Sequence, residues 1–194
     1  MKTLDFFVVD IPERLNDTIR TESGFELFVD TKYDEFTHRK TEGTVVASPS
    51  KYNTNVRAGD TLYFHHLVVV NDGQPLTGVE NHYIVKCDKT FTIGNQAFAY
   101  KDQNTGEIKP LFGWSLLESV EEEEEKLSEV IEVVKLTDST VRKGRVCFDS
   151  NELSDLGVKK GDVVGFAKDM DYRIAIDGKE YYRVRSEDLL YVEA

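Results

Sequence analysis

Val158-Lys159-Lys160-Gly161-Asp162-Val163-Val164-Gly165-Phe166 opens the most legible part of this chain, which runs on through Tyr172, Arg173, Ile174, Ala175 and Ile176 to the pair Asp177-Gly178. Behind that pair come Lys179, Glu180, Tyr181, Tyr182, Arg183 and Val184. An Asp-Gly pair between two β-rich runs predicts a hairpin, because both central residues of a type I′ turn need positive φ and these two residue types tolerate it. Ser186, Glu187 and Asp188 then break the pattern, and Leu189, Leu190, Tyr191 and Val192 predict a terminal strand. The fold class is therefore expected to be all-β.

The rest of the 194 residues divides around this anchor. Leu4, Phe6, Val8 and Ile11 alternate with Phe7 and Val9, which predicts a first strand that is buried on both faces or covered by a neighbouring chain. Residues 13–40 are mostly polar, with an apolar interruption at Phe25, Leu27, Phe28 and Val29 that fits either a core strand or an exposed binding loop. Strands are expected at 43–47, 61–70, 82–87, 91–100 and 141–148. Residues 101–110, with Asp102, Asn104, Gly106 and Pro110, read as the linker between two domains, 1–104 and 111–194. In 127–134 the spacing of Leu127, Val130, Ile131 and Val134 permits a helix, while four β-branched residues suit an extended segment.

Composition narrows the function classes. A formal net charge of −12 opposes binding to nucleic acid or to an anionic membrane surface, which needs clustered Lys and Arg. No stretch of 18 apolar residues and no leader-type amino terminus occurs, so a soluble, cytoplasmic protein is expected. Cys87 and Cys147 lie in separate β-like runs without metal-type spacing and read as buried, reduced thiols. The acidic run 121–125 reads as a solvated segment rather than a cation site. Of the histidines His38, His65, His66 and His82, the adjacent pair is expected to point to opposite faces of a strand, which is poor metal-ligand geometry. With no phosphate loop, nucleophile elbow or Cys-His motif, neither a catalytic residue nor a cofactor nor a metal site is expected.

The two halves repeat one order of signals. In the first half an apolar start precedes a polar segment, then Gly43, Thr44, Val45 and Val46, then Gly59 and Asp60. In the second an apolar start precedes an acidic segment, then Gly144, Arg145, Val146 and Cys147, then Gly161 and Asp162. Each half is expected to finish with a hairpin-like pair of β segments.

With these residues in view, 158–194, from Val-Lys-Lys-Gly-Asp to Ser-Glu-Asp-Leu-Leu-Tyr-Val-Glu-Ala, resembles the C-terminal half of GroES-type co-chaperonins. Residues 40–64 and 82–100 look like a second, more divergent copy. The resemblance implies two GroES-like irregular β-barrels in tandem, assembled with further copies into a homo-oligomeric ring. Such a ring caps an ATP-driven, GroEL-type chaperonin around an enclosed unfolded protein, without a cofactor. It implies a docking loop in each copy, 22–40 with anchors Leu27, Phe28 and Val29, and 124–143 with anchors Ile131, Val133 and Val134. It leaves the source open between a cell's own cytoplasm and, for a phage-encoded chain, that of a host. The family's roof hairpin has little room at 48–58 or 150–160, and the insertion 70–80 has no counterpart. A β-barrel interaction or assembly protein that no longer binds a chaperonin is the alternative.

Overall fold

The computed structural model describes residues 2–21, 23–30, 38–69, 74–88, 95–120, 141–170 and 172–193. Two compact units divide the chain, Met1–Phe112 and Gly113–Ala194. Unit 1 contains β1 (Phe6–Asp10), β2 (Thr18–Arg20), β3 (Glu26–Phe28), β4 (Glu42–Ala47), β5 (Thr61–Phe64), β6 (Gln74–Pro75), β7 (His82–Lys86), β8 (Ala97–Lys101) and β9 (Ile108–Pro110). Unit 2 contains β10 (Trp114–Ser119), β11 (Val141–Val146), β12 (Val163–Ala167), β13 (Tyr172–Ile176), β14 (Lys179–Arg185) and β15 (Leu189–Val192).

Each unit is organised by one mixed-order antiparallel sheet. In unit 1 the order is β6-β7-β1-β4-β5-β8-β9, and in unit 2 it is β13-β14-β10-β11-β12-β15. Counted from the start of its own unit, each strand of the second sheet has a counterpart at the same place in the first, and β9 is the extra strand at the end. β1 is central because its apolar residues occupy both faces; Phe7, Val8 and Val9 are all buried between β4 and β7. Asp177 and Gly178 both have positive φ, 52° and 77°, and join β13 to β14 as the sequence predicts. The terminal run pairs with β12.

The Gly-Asp turns are built alike, bond for bond. Gly59 and Gly161 have φ of 95° and 97°, a region that disfavours any residue with a Cβ. The Gly59 amide donates to the Val45 carbonyl at 2.8 Å, and the Gly161 amide to Val146 at 2.8 Å. In return the Val45 amide donates to Asp60 O at 2.8 Å and the Val146 amide to Asp162 O at 2.9 Å. Each aspartate then accepts a bond on its carboxylate, from the Arg57 amide at 2.8 Å and from the Lys159 amide at 2.8 Å. The register also slips at the same place in both units, between Tyr63 and Phe64 and between Gly165 and Phe166. The two turns and the two strand orders thus match element for element.

Apolar side chains fill each unit's interior. Phe7, Val9, Val45, Leu62, Phe64 and Val85 lie at the heart of unit 1, and Leu117, Val146, Val164, Phe166 and Val184 at that of unit 2. Residues 150–160 form a short helix, Asn151–Asp155, capped by the Ser150 hydroxyl and anchored by buried Leu153. On unit 2, Arg183 lies between Trp114 and Tyr172, its guanidinium carbon 4.5 and 4.8 Å from the ring centres, and burial lowers its pKa to about 10.

Four expectations are corrected. Residues 61–70 are a strand only to Phe64; His66–Val69 is a 3-10 turn, because the apolar pair Val68 and Val69 reaches the core by a turn that the Leu67 amide closes onto His65 Nδ1. His65 and His66 therefore do not diverge across a strand; their rings stack 4.2 Å apart. β7 and β8 do not pair with each other but with β1 and β5, so unit 1 does not close on a hairpin of those two strands. Finally, 101–110 is no linker but the β8–β9 hairpin, in which Lys101 pairs with Ile108, Tyr100 with Lys109 and Ala99 with Pro110. The same Asp, Asn and Gly residues that suggest a linker build its turn. Asp102 Oδ1 accepts from the Asn104 and Thr105 amides at 2.8 and 3.2 Å, which holds its carboxyl below the usual carboxylate range.

Asp60 does more than Asp162. Its Oδ1 also accepts from the Gln103 amide at 3.1 Å, while the Gln103 side chain donates to Ala58 O at 3.2 Å, tying the β8–β9 turn onto the Gly-Asp turn. Asp60 is buried and Asp162 half-buried. In urea denaturation, Asp60→Ala is expected to cost about 2–3 kcal/mol and Asp162→Ala about 1. Trp114, the only tryptophan, reports unit 2 by its fluorescence, so the Asp60 change should leave that signal's midpoint nearer the unaltered value than the far-ultraviolet signal's.

Candidate functional site

The 13–40 excursion leaves unit 1 beside β1 and returns beside β4. Its root is zipped: the Lys40 amide donates to Arg14 O at 2.9 Å, the Asn16 amide to His38 O at 2.6 Å, and Leu15 bridges Arg39 between them. Asp10, Ile11, Lys40, Glu42, Gly43 and Thr61 line a cavity of about 350 Å³ at this root. Beyond it β2 and β3 form a separate two-stranded ribbon, with Thr18 opposite Phe28, Ile19 opposite Leu27 and Arg20 opposite Glu26. The Val29 amide closes the lower end onto Asp17 O at 2.7 Å.

This ribbon carries its apolar side chains outward. Phe25, Leu27 and Phe28 are 71%, 54% and 82% exposed, and Val29 is half-buried. Of the two possibilities for this stretch, core strand or exposed segment, the structure takes the second. Leu27 and Phe28 are neighbours in a strand and so face opposite sides of the ribbon. Phe25 joins the predicted anchors; its signal in the sequence was the same apolar interruption of a polar run. Each such side chain contributes about 1.5–3 kcal/mol when a partner covers it fully. Ile131, Val133 and Val134 lie outside the described residues.

A second apolar surface lies on β15. Leu190, Tyr191 and Val192 are exposed, whereas Phe98, Ala99 and Tyr100, which hold the corresponding places on β8, are buried. The cross-strand pairs are swapped: Tyr63 faces Ala99 in unit 1, and Gly165 faces Tyr191 in unit 2. One aromatic ring thus serves each pair, but the second unit carries it on the edge strand. Sequence periodicity could not separate β8 from β15, since both are short apolar runs.

Among the described residues no group of three or more His, Cys, Asp or Glu side chains is arranged to hold a metal. His82 Nδ1 lies 2.8 Å from Glu80 O and 4.0 Å from Asp10 Oδ1. Both thiols are free, Cys87 buried and Cys147 half-buried. Burial, reinforced by Asp88 and Asp5, pushes Cys87 up to about 12, and burial with the Glu118 carboxylate pushes Cys147 up to about 11. Both are therefore protonated and unreactive at neutral pH. Because these pKa values are raised on folding, the thiols' stabilising contribution is complete below the unfolded value near 9 and is lost as pH rises toward 11–12. Iodoacetamide at pH 8 is expected to leave Cys87 unmodified in the native protein and to label it fully in guanidinium, as read by intact mass. No helix among the described residues is long and apolar enough to cross a membrane.

No protein-family model matches the chain. Among curated proteins it is similar to the co-chaperonin GroES of Aquifex aeolicus (strain VF5), 32% identical over 92 residues that cover 44% of this chain and 75% of that protein. It is likewise similar to the co-chaperonin GroES of Coprothermobacter proteolyticus, 33% identical over 93 residues that cover 44% of this chain and 94% of that protein.

Proposed function

The chain belongs to the GroES co-chaperonin family, and from that premise we propose that it is a tandem co-chaperonin: two GroES-like units in one polypeptide, joined with further copies into a cytoplasmic ring that caps a GroEL-type chaperonin over an unfolded protein. Its role is non-catalytic. The observation that carries this proposal is the exposed ribbon of unit 1, because a family member that presents Phe25, Leu27 and Phe28 to solvent on a zipped stalk has the apolar contact a lid needs. Single loops of this size bind weakly, since ordering the backbone costs about 1–2 kcal/mol per residue against the apolar gain. A ring that presents several together raises the effective concentration of each and keeps the contact reversible.

The proposed joint between chains rests on the two edge strands. Beside β8 the edge is filled within the chain by β9, the strand that precedes β10. Beside β15 the matching edge shows Leu190, Tyr191 and Val192 to solvent. In the ring, an edge strand of a neighbouring copy pairs with β15, satisfying the edge's backbone groups and covering its apolar side chains.

Two experiments test the proposal. Size-exclusion co-elution with a GroEL-type chaperonin is expected in the presence of ATP and to be lost after Leu27, Phe28 and Val29 are changed to Ser. The same change at Ile131, Val133 and Val134 reports whether 124–143 contributes. A failure of the unaltered protein to co-elute at any nucleotide state overturns the co-chaperonin reading and leaves a barrel assembly protein. For the joint, Tyr191→Asp with Leu190→Lys is expected to convert the ring to smaller species in sedimentation velocity with an unchanged circular dichroism spectrum; an intact ring would place the joint elsewhere.

A further inference from the structure

One row of side chains crosses the sheet of each unit, and the rows differ in where the aromatic ring sits. In unit 1 the row runs Glu42, Tyr63, Ala99 from β4 through β5 to β8, and Pro110 of β9 continues it. In unit 2 it runs Lys143, Gly165, Tyr191 from β11 through β12 to β15, where the sheet ends. Residues directly opposite one another share a face of the sheet. The ring therefore belongs to the inner strand in unit 1 and to the edge strand in unit 2, and Tyr63 is 1% exposed where Tyr191 is 43% exposed.

Gly165 is what lets the Tyr191 ring lie where it does. A Cβ at 165 would stand 2.3 Å from Cε1 and Cζ of that ring and 2.8 Å from its hydroxyl oxygen, so the ring rests on bare backbone. Lys143, opposite Gly165, meets the Glu193 carboxylate at 2.6 Å, and the Glu193 amide donates to Val163 O at 2.8 Å, which holds the end of β15 beside the ring. A tyrosine seated in this way has little rotamer freedom left to lose and much of its surface still to cover, and both suit an interface anchor.

We propose that Tyr191 is the anchor by which unit 2 binds the next copy of the chain, and that Gly165 is the residue that positions it. This rests on the joint proposed above for β15 and assigns the side chain that governs it. The repeat itself points to the occupant, because the matching edge at Ala99 is covered by an extended strand of this same protein, β9. A short turn tethers β9 to β8, and the tether alone keeps its effective concentration high, so the small Ala99 suffices there. A strand from a separate molecule has no tether, and a seated ring supplies the missing attraction. Leu190 and Val192, exposed on the other face of β15, flank it.

The variants that test this move the ring and spare the sheet. Gly165 does not have a positive φ, so Gly165→Ala fits the backbone and displaces only the Tyr191 ring. In sedimentation velocity, Gly165→Ala and Tyr191→Ala are each expected to raise the concentration needed for assembly by about tenfold or more. Gly165→Tyr combined with Tyr191→Ala rebuilds in unit 2 the Tyr63–Ala99 pair of unit 1. Its urea midpoint, read by Trp114 fluorescence, is expected to exceed that of Tyr191→Ala alone, while assembly stays lost. If assembly returned along with the midpoint, Tyr191 would serve only the stability of its own unit and the inference would be overturned. In the unaltered protein, hydroxyl-radical footprinting read by mass spectrometry should find Tyr191 reactive when diluted and dissociated, and protected when assembled. Equal reactivity in both overturns the inference whether or not the variants fold. Variants that assemble normally and lose only chaperonin co-elution would make the chaperonin the occupant, which overturns it as well. An assembly built through Tyr191 that binds no chaperonin overturns the co-chaperonin reading alone, and an unaltered protein that is monomeric at every concentration overturns the joint and this inference with it.

Discussion

An antiparallel sheet that does not close ends in two strands whose outer amides and carbonyls have no partner in the sheet, and much of this molecule is an answer to that constraint. In unit 1 one edge is β6, only two residues long and ending in Pro75, which has no amide to offer. The other edge would be β8, but β9 covers it, and Gln103 pins the connecting turn to Asp60 and Ala58. In unit 2 the edge at β15 is left open and apolar. The two units share a strand order and a turn down to individual hydrogen bonds, and they differ where an edge has to be closed. Such a difference suits a chain whose second unit meets another molecule.

The exposed apolar side chains fall into the same logic. A net charge of −12 sets copies of the chain repelling one another, which opposes non-specific association through uncovered aromatic and aliphatic groups. Two groups of three fall on the unit 1 ribbon and on β15, while Leu4, Val46, Leu67, Val79, Leu156 and Met170 are exposed singly elsewhere. The ribbon is too small to form a core of its own, so its order depends on its backbone ladder. That arrangement leaves Phe25, Leu27 and Phe28 uncovered.

Much of this was legible beforehand. The Asp177-Gly178 hairpin, the terminal strand and the central first strand follow from turn chemistry and from alternation, both of which act within a few residues. The apolar interruption at Phe25 to Val29 was visible as well, but whether it faced a core or solvent was not, since periodicity reports a pattern and not what lies across from it. The 101–110 stretch misled because Asp, Asn and Gly serve a hairpin turn and a flexible linker equally well; only the pairing of Ile108 with Lys101 separates the two. His65 and His66 misled because the strand stops at Phe64, where Val68 and Val69 find the core by turning.

By itself, then, the amino-acid order determined the class of fold, the family resemblance and the turns, because these depend on local backbone preference and on short spacings. Tertiary structure alone decided which strands neighbour which, that β9 closes the edge beside β8, that β15 stays open, and that the ribbon's anchors face outward. The physical reason is that pairing and burial are relations between segments far apart in the chain. A short apolar run such as Ala97–Lys101 or Leu189–Val192 carries no mark of the strand that will, or will not, lie beside it.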